Sequence, residues 1–284
     1  MGFSKALGGN EKMSQANDVS ADKLVLRYWD CSGRGMLTRY MAYDAGLEFV
    51  DEVVSVNETF LGSWATAEKF LPEFAGPFKA LPVVHHHGET INETGACAQY
   101  VAEIAGYMPD NPLDRAKVVM ICAHIYEDIQ TPLGDALWEF KDWDRDVLGG
   151  FGGPTSGLTL KFANLEDILQ KSTSGFAVGN EISMADFAIF YIVDIVKRRM
   201  LDVKSGPRAA ELLFGDKHAI AAHQDMMMAR PNIAKFRQSD QWQTYGHYFS
   251  GKGTIGEKTH ELDLGETELE GFEILASKLI TSLS

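Results

Sequence analysis

A strand, a helix and a second strand follow one another within about thirty residues, and this succession restricts the fold more than any other feature. Leu24-Val25-Leu26-Arg27-Tyr28-Trp29 has the β-branched and aromatic content of a buried strand. A turn follows at Asp30-Cys31-Ser32-Gly33. Met36, Leu37, Tyr40, Met41 and Ala45 then recur at helical spacing up to Gly46, a C-terminal cap. Phe49 to Val54 reads as the second strand, which completes a βαβ unit. The stretch from Asn57 to Lys79 is long and irregular. Leu81-Pro82-Val83-Val84, His87-Gly88-Glu89 and Thr90-Ile91 predict an antiparallel hairpin, and a helix from Thr94 to Ala105 ends on Gly106. A βαβ unit followed by ββα is a thioredoxin-like order of elements.

From Asn111-Pro112 onward the pattern is helical, with Asn as N-cap and Pro at the first helical position. Val118, Ile121, Cys122, Ile125 and Ile129 give the first of these helices an apolar face. A glycine-rich break at Gly149–Gly157 precedes a helix over Leu158–Leu169. Ile182-Ser183-Met184-Ala185-Asp186-Phe187 contains a capping box, Ser183 with Asp186, closed by a hydrophobic staple of Ile182 and Phe187. A last core helix is expected over Ile220–Ala229, stopped by Pro231. The expected organisation is therefore a disordered tail over 1–22, a thioredoxin-like α/β domain over 23–106 and an all-α domain over 111–249. A linker then leads over 250–284 to a short amphipathic helix carrying Phe272, Leu275, Leu279 and Leu283.

Charge and cysteine usage narrow the partners. A formal net charge of −14 over 284 residues argues against nucleic acid and against an anionic membrane surface, both of which reward Lys and Arg clusters. An anionic ligand would need a locally positive pocket. Cys31, Cys97 and Cys122 cannot form a closed disulfide framework and are spaced too widely for a zinc motif, so a reducing compartment, the cytoplasm, is expected. No apolar run approaches a membrane span. His85-His86-His87 invites a metal reading. Neighbours on a strand point to opposite faces, so the three cannot converge, and no metal is expected. Met226-Met227-Met228 reads as adaptable helix packing.

Over roughly Lys23 to Tyr245 the chain resembles the soluble glutathione transferases. Leu26 to Gly35 resembles the N-terminal segment of the tyrosine-type classes, the sigma class being closest, and Arg39-Tyr40 falls where that class carries Arg-Tyr. Leu81-Pro82-Val83-Val84, Gly88 and Glu93-Thr94 resemble the family's glutathione-binding segment. Ile182 to Phe187 resembles its folding motif in the sixth helix.

The resemblance implies a glutathione transferase in which Tyr28 donates a hydrogen bond to the glutathione thiolate. Hydrogen bonding to the charged form lowers a thiol pKa, and a fall of roughly two units corresponds to about 2.7 kcal/mol. Arg34 would add positive charge near the sulfur. Cys31 and Ser32 are rivals, since other classes use Cys or Ser in this loop, and a cysteine near a helix N-terminus can be acidic. Pro82, after Leu81, would be cis, with the Val83 backbone pairing the cysteinyl part of glutathione as an added strand does. Glu93 and Thr94 would hold the γ-glutamyl end at a helix N-terminus. For the glycine carboxylate the related classes use Trp and a Lys four residues on. Here Trp64 is followed by Glu68 and Lys69, and Lys79 is a substitute. Some classes send an Asp across the dimer where this chain has Val119. The expected partners are glutathione as co-substrate and a hydrophobic electrophile seated between the domains near Trp29. A homodimer is expected. The alternatives are a sigma-type glutathione-dependent isomerase and a non-catalytic binding or structural protein.

Overall fold

A computed structural model describes residues 23–54, 64, 67–131, 157–201, 211 and 213–246. The tail over 1–22, most of the glycine-rich break and the C-terminal helix expected at Phe272–Leu283 lie outside the described residues.

The first half forms a four-stranded sheet in the order β2-β1-β3-β4. Strand β1 (Leu24–Trp29) pairs in parallel with β2 (Phe49–Val54) across helix α1 (Met36–Asp44). β1 also pairs antiparallel with β3 (Val83–His86), which pairs antiparallel with β4 (Glu89–Asn92). The β3–β4 connection is the two-residue turn His87-Gly88, both with positive φ (50 and 77), as a type I′ hairpin turn requires. Helix α1 begins at Met36, two residues after Arg34, which lies in the turn. Between β2 and β3 lie a 3-10 turn at Glu68–Phe70 and a short helix α2 (Pro72–Ala75). Buried Asn92 fastens this segment, donating from Nδ2 to the carbonyls of Ala75 and Ala80, both at 2.8 Å.

Helix α3 (Thr94–Ile104) packs with α1 on the sheet and leads into the helical half: α4 (Pro112–Ala123), continued by a π-helical segment over His124–Gln130, then α5 (Leu158–Gln170) and α6 (Met184–Leu201). Asn111 caps α4 as expected, accepting from the Leu113 and Asp114 N–H groups. Pro231 ends one helix, α7 (His218–Met228), but also opens another. Beyond it the chain forms α8 (Pro231–Arg237) and α9 (Asp240–Gly246), which the sequence reading missed. Met227 is fully buried on α7, in keeping with a packing role.

Helix α6 is apolar all round from Phe187 to Val193, because it runs through the middle of the molecule. Its start differs from the expected capping box in one respect. The Asp186 carboxylate accepts from the Ser183 N–H at 2.8 Å, but the Ser183 hydroxyl also donates to that carboxylate rather than capping the helix. Asp186 further accepts from the Ala177 N–H and faces His223 Nε2, so it ties three segments together without exposure.

One hydrophobic cluster runs from Leu24, Leu26 and Val84 of the sheet through α1 and α3 into α4, α5 and α6. Ionic contacts complete the join. Asp51 of β2 accepts from Arg39 Nε at 3.0 and 3.1 Å, from the Tyr245 hydroxyl at 2.6 Å and from Gln241 Nε2 at 3.2 Å. Arg230 forks onto Asp44, which also accepts from the Tyr107 hydroxyl.

Candidate functional site

The antiparallel registers bring the candidate segments to one end of the sheet. Arg27 lies opposite Val83, and Val83 opposite Asn92. Tyr28 follows Arg27, Pro82 precedes Val83 and Glu93 follows Asn92, so the three stand where the antiparallel ladder ends, with Thr94 opening the next helix. The Leu81–Pro82 peptide is cis. Trp64 reaches the same end of the sheet, its ring edge-on to Trp29 with centroids 4.9 Å apart.

Tyr28 lies beneath the turn that follows it and is only 7% exposed. Its ring is roofed by Gly33 and Gly35. A Cβ at Gly33 would stand 2.4 Å from the hydroxyl, and one at Gly35 would stand 2.4 Å from Cγ. These glycines are therefore required by close approach, not by a special φ. The hydroxyl accepts the Arg34 backbone N–H at 2.7 Å and keeps its own proton to donate. Burial, with the neighbouring Cys31 adding to it, pushes the phenol pKa well up, so Tyr28 stays a neutral donor throughout the physiological range. Arg34 reaches Tyr28 through its backbone. Its guanidinium turns to the helical half, donating to Thr131 Oγ1 at 3.0 Å, though its charge still acts on the phenol.

The two rivals in this loop are differently engaged. Cys31 is buried, and desolvation raises its thiol pKa well beyond the ordinary value, which opposes a thiolate nucleophile. Ser32 is fully buried, donates to the Tyr245 carbonyl and accepts from Arg198 Nη2, both at 3.0 Å. It joins the loop to the helical half. Arg39 holds the same loop from behind, through the carbonyls of Trp29 and Cys31.

Val83 is enclosed by the ladder, with β1 on one side and β4 on the other, which leaves little of its backbone for an added strand. Leu81 lies just before the ladder and makes no backbone hydrogen bond among the described residues. Leu81 is therefore the residue of this segment whose backbone stays unpaired among the described residues. Helix α3 starts with Glu93 as N-cap, exposed and at φ 71, and no side chain caps its first turn. Thr94 is the first helical residue and not the cap, so the simple capping role for its hydroxyl is not realised. The N–H groups of that turn face outward with the positive end of the helix dipole. Lys69 and Lys79 converge on the exposed Phe70 ring, with Nζ 5.3 and 5.2 Å from its centroid. They supply local positive charge in an acidic protein.

The histidine run behaves differently from its strand pattern. His87 sits in the hairpin turn, off the strand alternation, and its ring stacks on His86 at 3.9 Å. His85 lies apart, against Arg27 and Thr90. Among the described residues no group of three or more His, Cys, Asp or Glu is placed to hold a metal. Also among them, no helix is long and apolar enough to cross a membrane.

Comparison with known proteins bears on family and fold. Residues 156–240 match the family model of the glutathione S-transferase C-terminal domain. The rat protein maleylacetoacetate isomerase is 28% identical over 197 residues, covering 68% of this chain and 88% of the rat protein. Glutathione S-transferase 3 of Caenorhabditis elegans is 24% identical over 186 residues, covering 63% and 84%. The crystal structure of the glutathione S-transferase from Ascaris lumbricoides superposes with a TM-score of 0.59 at 20% identity, over 75% of this chain and 95% of that one.

Proposed function

Because the chain belongs to the glutathione transferase family, we propose that it conjugates glutathione to hydrophobic electrophiles, with Tyr28 stabilising the thiolate. The observation that carries this reading is the Tyr28 hydroxyl. It is held neutral by burial, polarised by the Arg34 N–H, and at the same end of the sheet as the cis-Pro82 segment. A donor fixed in advance strengthens as the sulfur becomes an anion, which is the property a thiol-activating site needs. The thiolate then attacks carbon. A C–S bond forms as the leaving group departs, or as a proton is taken up at the neighbouring carbon of an unsaturated acceptor.

The remaining groups fit the rest of the tripeptide. The Leu81 peptide pairs the cysteinyl backbone. The uncapped α3 N-terminus and the Thr94 hydroxyl receive the γ-glutamyl carboxylate, and Glu93 its ammonium. Trp64, Lys69 and Lys79 receive the glycine carboxylate. The electrophile sits against Trp29 and the face of α4. We propose a homodimer in the cytoplasm, for which exposed Leu113 and Met120 of α4 and Phe78, 67% exposed, offer apolar surface. The class within the family is proposed as sigma-like, on the N-terminal segment.

The rat relative's name gives a second reading, glutathione-dependent isomerisation, in which the same thiolate adds to a conjugated cis double bond and leaves after rotation. Retention on immobilised glutathione, followed by assays with a chloro-dinitrobenzene acceptor and a cis-enone acid, separates the two. Conjugation predicts retention and turnover of the first substrate. Turnover of the cis-enone acid alone would assign the isomerase, and retention without turnover of either would assign a binding protein.

A further inference from the structure

We propose that Tyr191, in the middle of helix α6, is a positioning residue for the thiol chemistry, acting on Tyr28 through the single peptide group that joins Gly33 to Arg34. This rests on the reading of Tyr28 as the donor to the glutathione sulfur. The Tyr191 hydroxyl donates to the Gly33 carbonyl at 3.0 Å, across 158 residues of chain. The N–H on the other side of that same peptide belongs to Arg34 and donates to the Tyr28 hydroxyl at 2.7 Å. Behind Tyr191, the Gln130 side-chain amide donates to its hydroxyl. Tyr191 has one proton and gives it to Gly33, so Gln130 must present N–H to the Tyr191 oxygen.

Every donor in this line points the same way: Gln130 to Tyr191, Tyr191 to the Gly33 carbonyl, the Arg34 N–H to Tyr28, and Tyr28 onward to sulfur. Hydrogen bonds in series polarise one another, and burial keeps water from breaking the line; Tyr191 is fully buried and Gln130 nearly so. A donor at the Gly33 carbonyl draws electron density through the amide and makes the Arg34 N–H a stronger donor. The Tyr28 oxygen, accepting more strongly, releases its proton more readily toward an anion. The helical half clamps the same turn a second time, where Arg34 donates to Thr131 Oγ1 and Thr131 donates to the Tyr126 carbonyl at 2.8 Å. The peptide that polarises the nucleophile's partner thus takes its side-chain hydrogen bond at the carbonyl from the helical half of the molecule.

The test is the ultraviolet titration of thiolate in glutathione bound to the full-length protein, for wild type, Tyr191→Phe, Tyr28→Phe and the double variant. Phenylalanine keeps the ring packing and removes only the hydroxyl. Series polarisation strengthens each bond by about 10–30%, and applied to a thiol shift of about two units it predicts a rise of roughly 0.2–0.6 unit in Tyr191→Phe. That corresponds to about a 1.6- to fourfold fall in kcat/KM on the acid limb, below the thiol pKa, with the high-pH plateau retained. In the Tyr28→Phe background, Tyr191→Phe should change nothing further. If Tyr28→Phe raises the thiol pKa and Tyr191→Phe does not, the relay is wrong while the Tyr28 reading stands. If Tyr28→Phe leaves the pKa in place, the Tyr28 reading itself fails. A purely structural Tyr191 would lower the melting temperature and the rate at every pH alike. Should Tyr191→Phe not fold, Gln130→Met removes only the first donor, and it must raise the thiol pKa by a smaller amount for the relay to hold.

Discussion

The turn over Trp29–Gly35 and the segment over Glu68–Lys79 lie at the same end of the sheet but are built on opposite principles. The first is pinned from four directions, by Arg39, Ser32, Tyr191 and the Arg34–Thr131 contact, and Tyr28 is sealed beneath it. The second is fastened at its C-terminal side by Asn92 and shows Phe70, Phe78 and Lys79 to solvent. Chemistry at sulfur tolerates little displacement of its donor, whereas a carboxylate is held by charge at longer range. On the proposed function, the contrast would divide the site into a rigid end that sets rate and a yielding end that sets affinity.

Arg39→Ala should break the rigid end most severely. It leaves Asp51 buried without its cation and releases the Trp29 and Cys31 carbonyls, so a loss of about 3–5 kcal/mol in denaturant unfolding is expected. Gly35→Ala comes next, because its Cβ meets the Tyr28 ring rather than a flexible chain end. Forcing that contact should cost about 1–3 kcal/mol and depress kcat in the folded fraction by displacing the phenol. At the yielding end, Lys79→Ala should raise KM for glutathione by about two- to fivefold and leave kcat and stability alone, since an exposed cation contributes at most about 1 kcal/mol. An equal fall in kcat would erase the distinction between the two ends. The smallest effect is expected from Cys31→Ala, where steady-state kinetics should remain within about twofold of wild type, because Cys31 is buried and desolvation raises its thiol pKa, which opposes the thiolate form.

The same contrast governs what could be read in the chain. Features written in a few consecutive residues were legible: the hairpin turn at His87-Gly88, the Asn111-Pro112 helix start, the Ser183–Asp186 pair and the strand that ends on Tyr28-Trp29. Pro231 was read as a stop because proline ends one helix as naturally as it opens the next, and α8 and α9 were lost with it. The Val83 backbone pairing is implied by resemblance alone, because pattern does not say on which residue the ladder closes. Tyr191 sits in an unbroken apolar run, where a hydroxyl looks like core packing until its partner across the fold is known. The contacts joining Asp51 to Tyr245 and Ser32 to Arg198 are likewise long-range and leave no local signature.

The central claim is that Tyr28, rather than Cys31 or Ser32 in the turn that follows it, lowers the pKa of the glutathione thiol, and the pH profile of kcat/KM tests it most directly. Thiolate is the reactive form, so the rate should be full above the depressed thiol pKa and fall away as pH drops through it. The phenol, whose own pKa is pushed well up, should add no second limb at physiological pH. Tyr28→Phe should move the acid limb upward by about two units, toward the ordinary thiol value of about 8.5, and lower the neutral-pH rate at least about tenfold. A variant whose limb stays where the wild type has it, with its rate intact, would contradict the account.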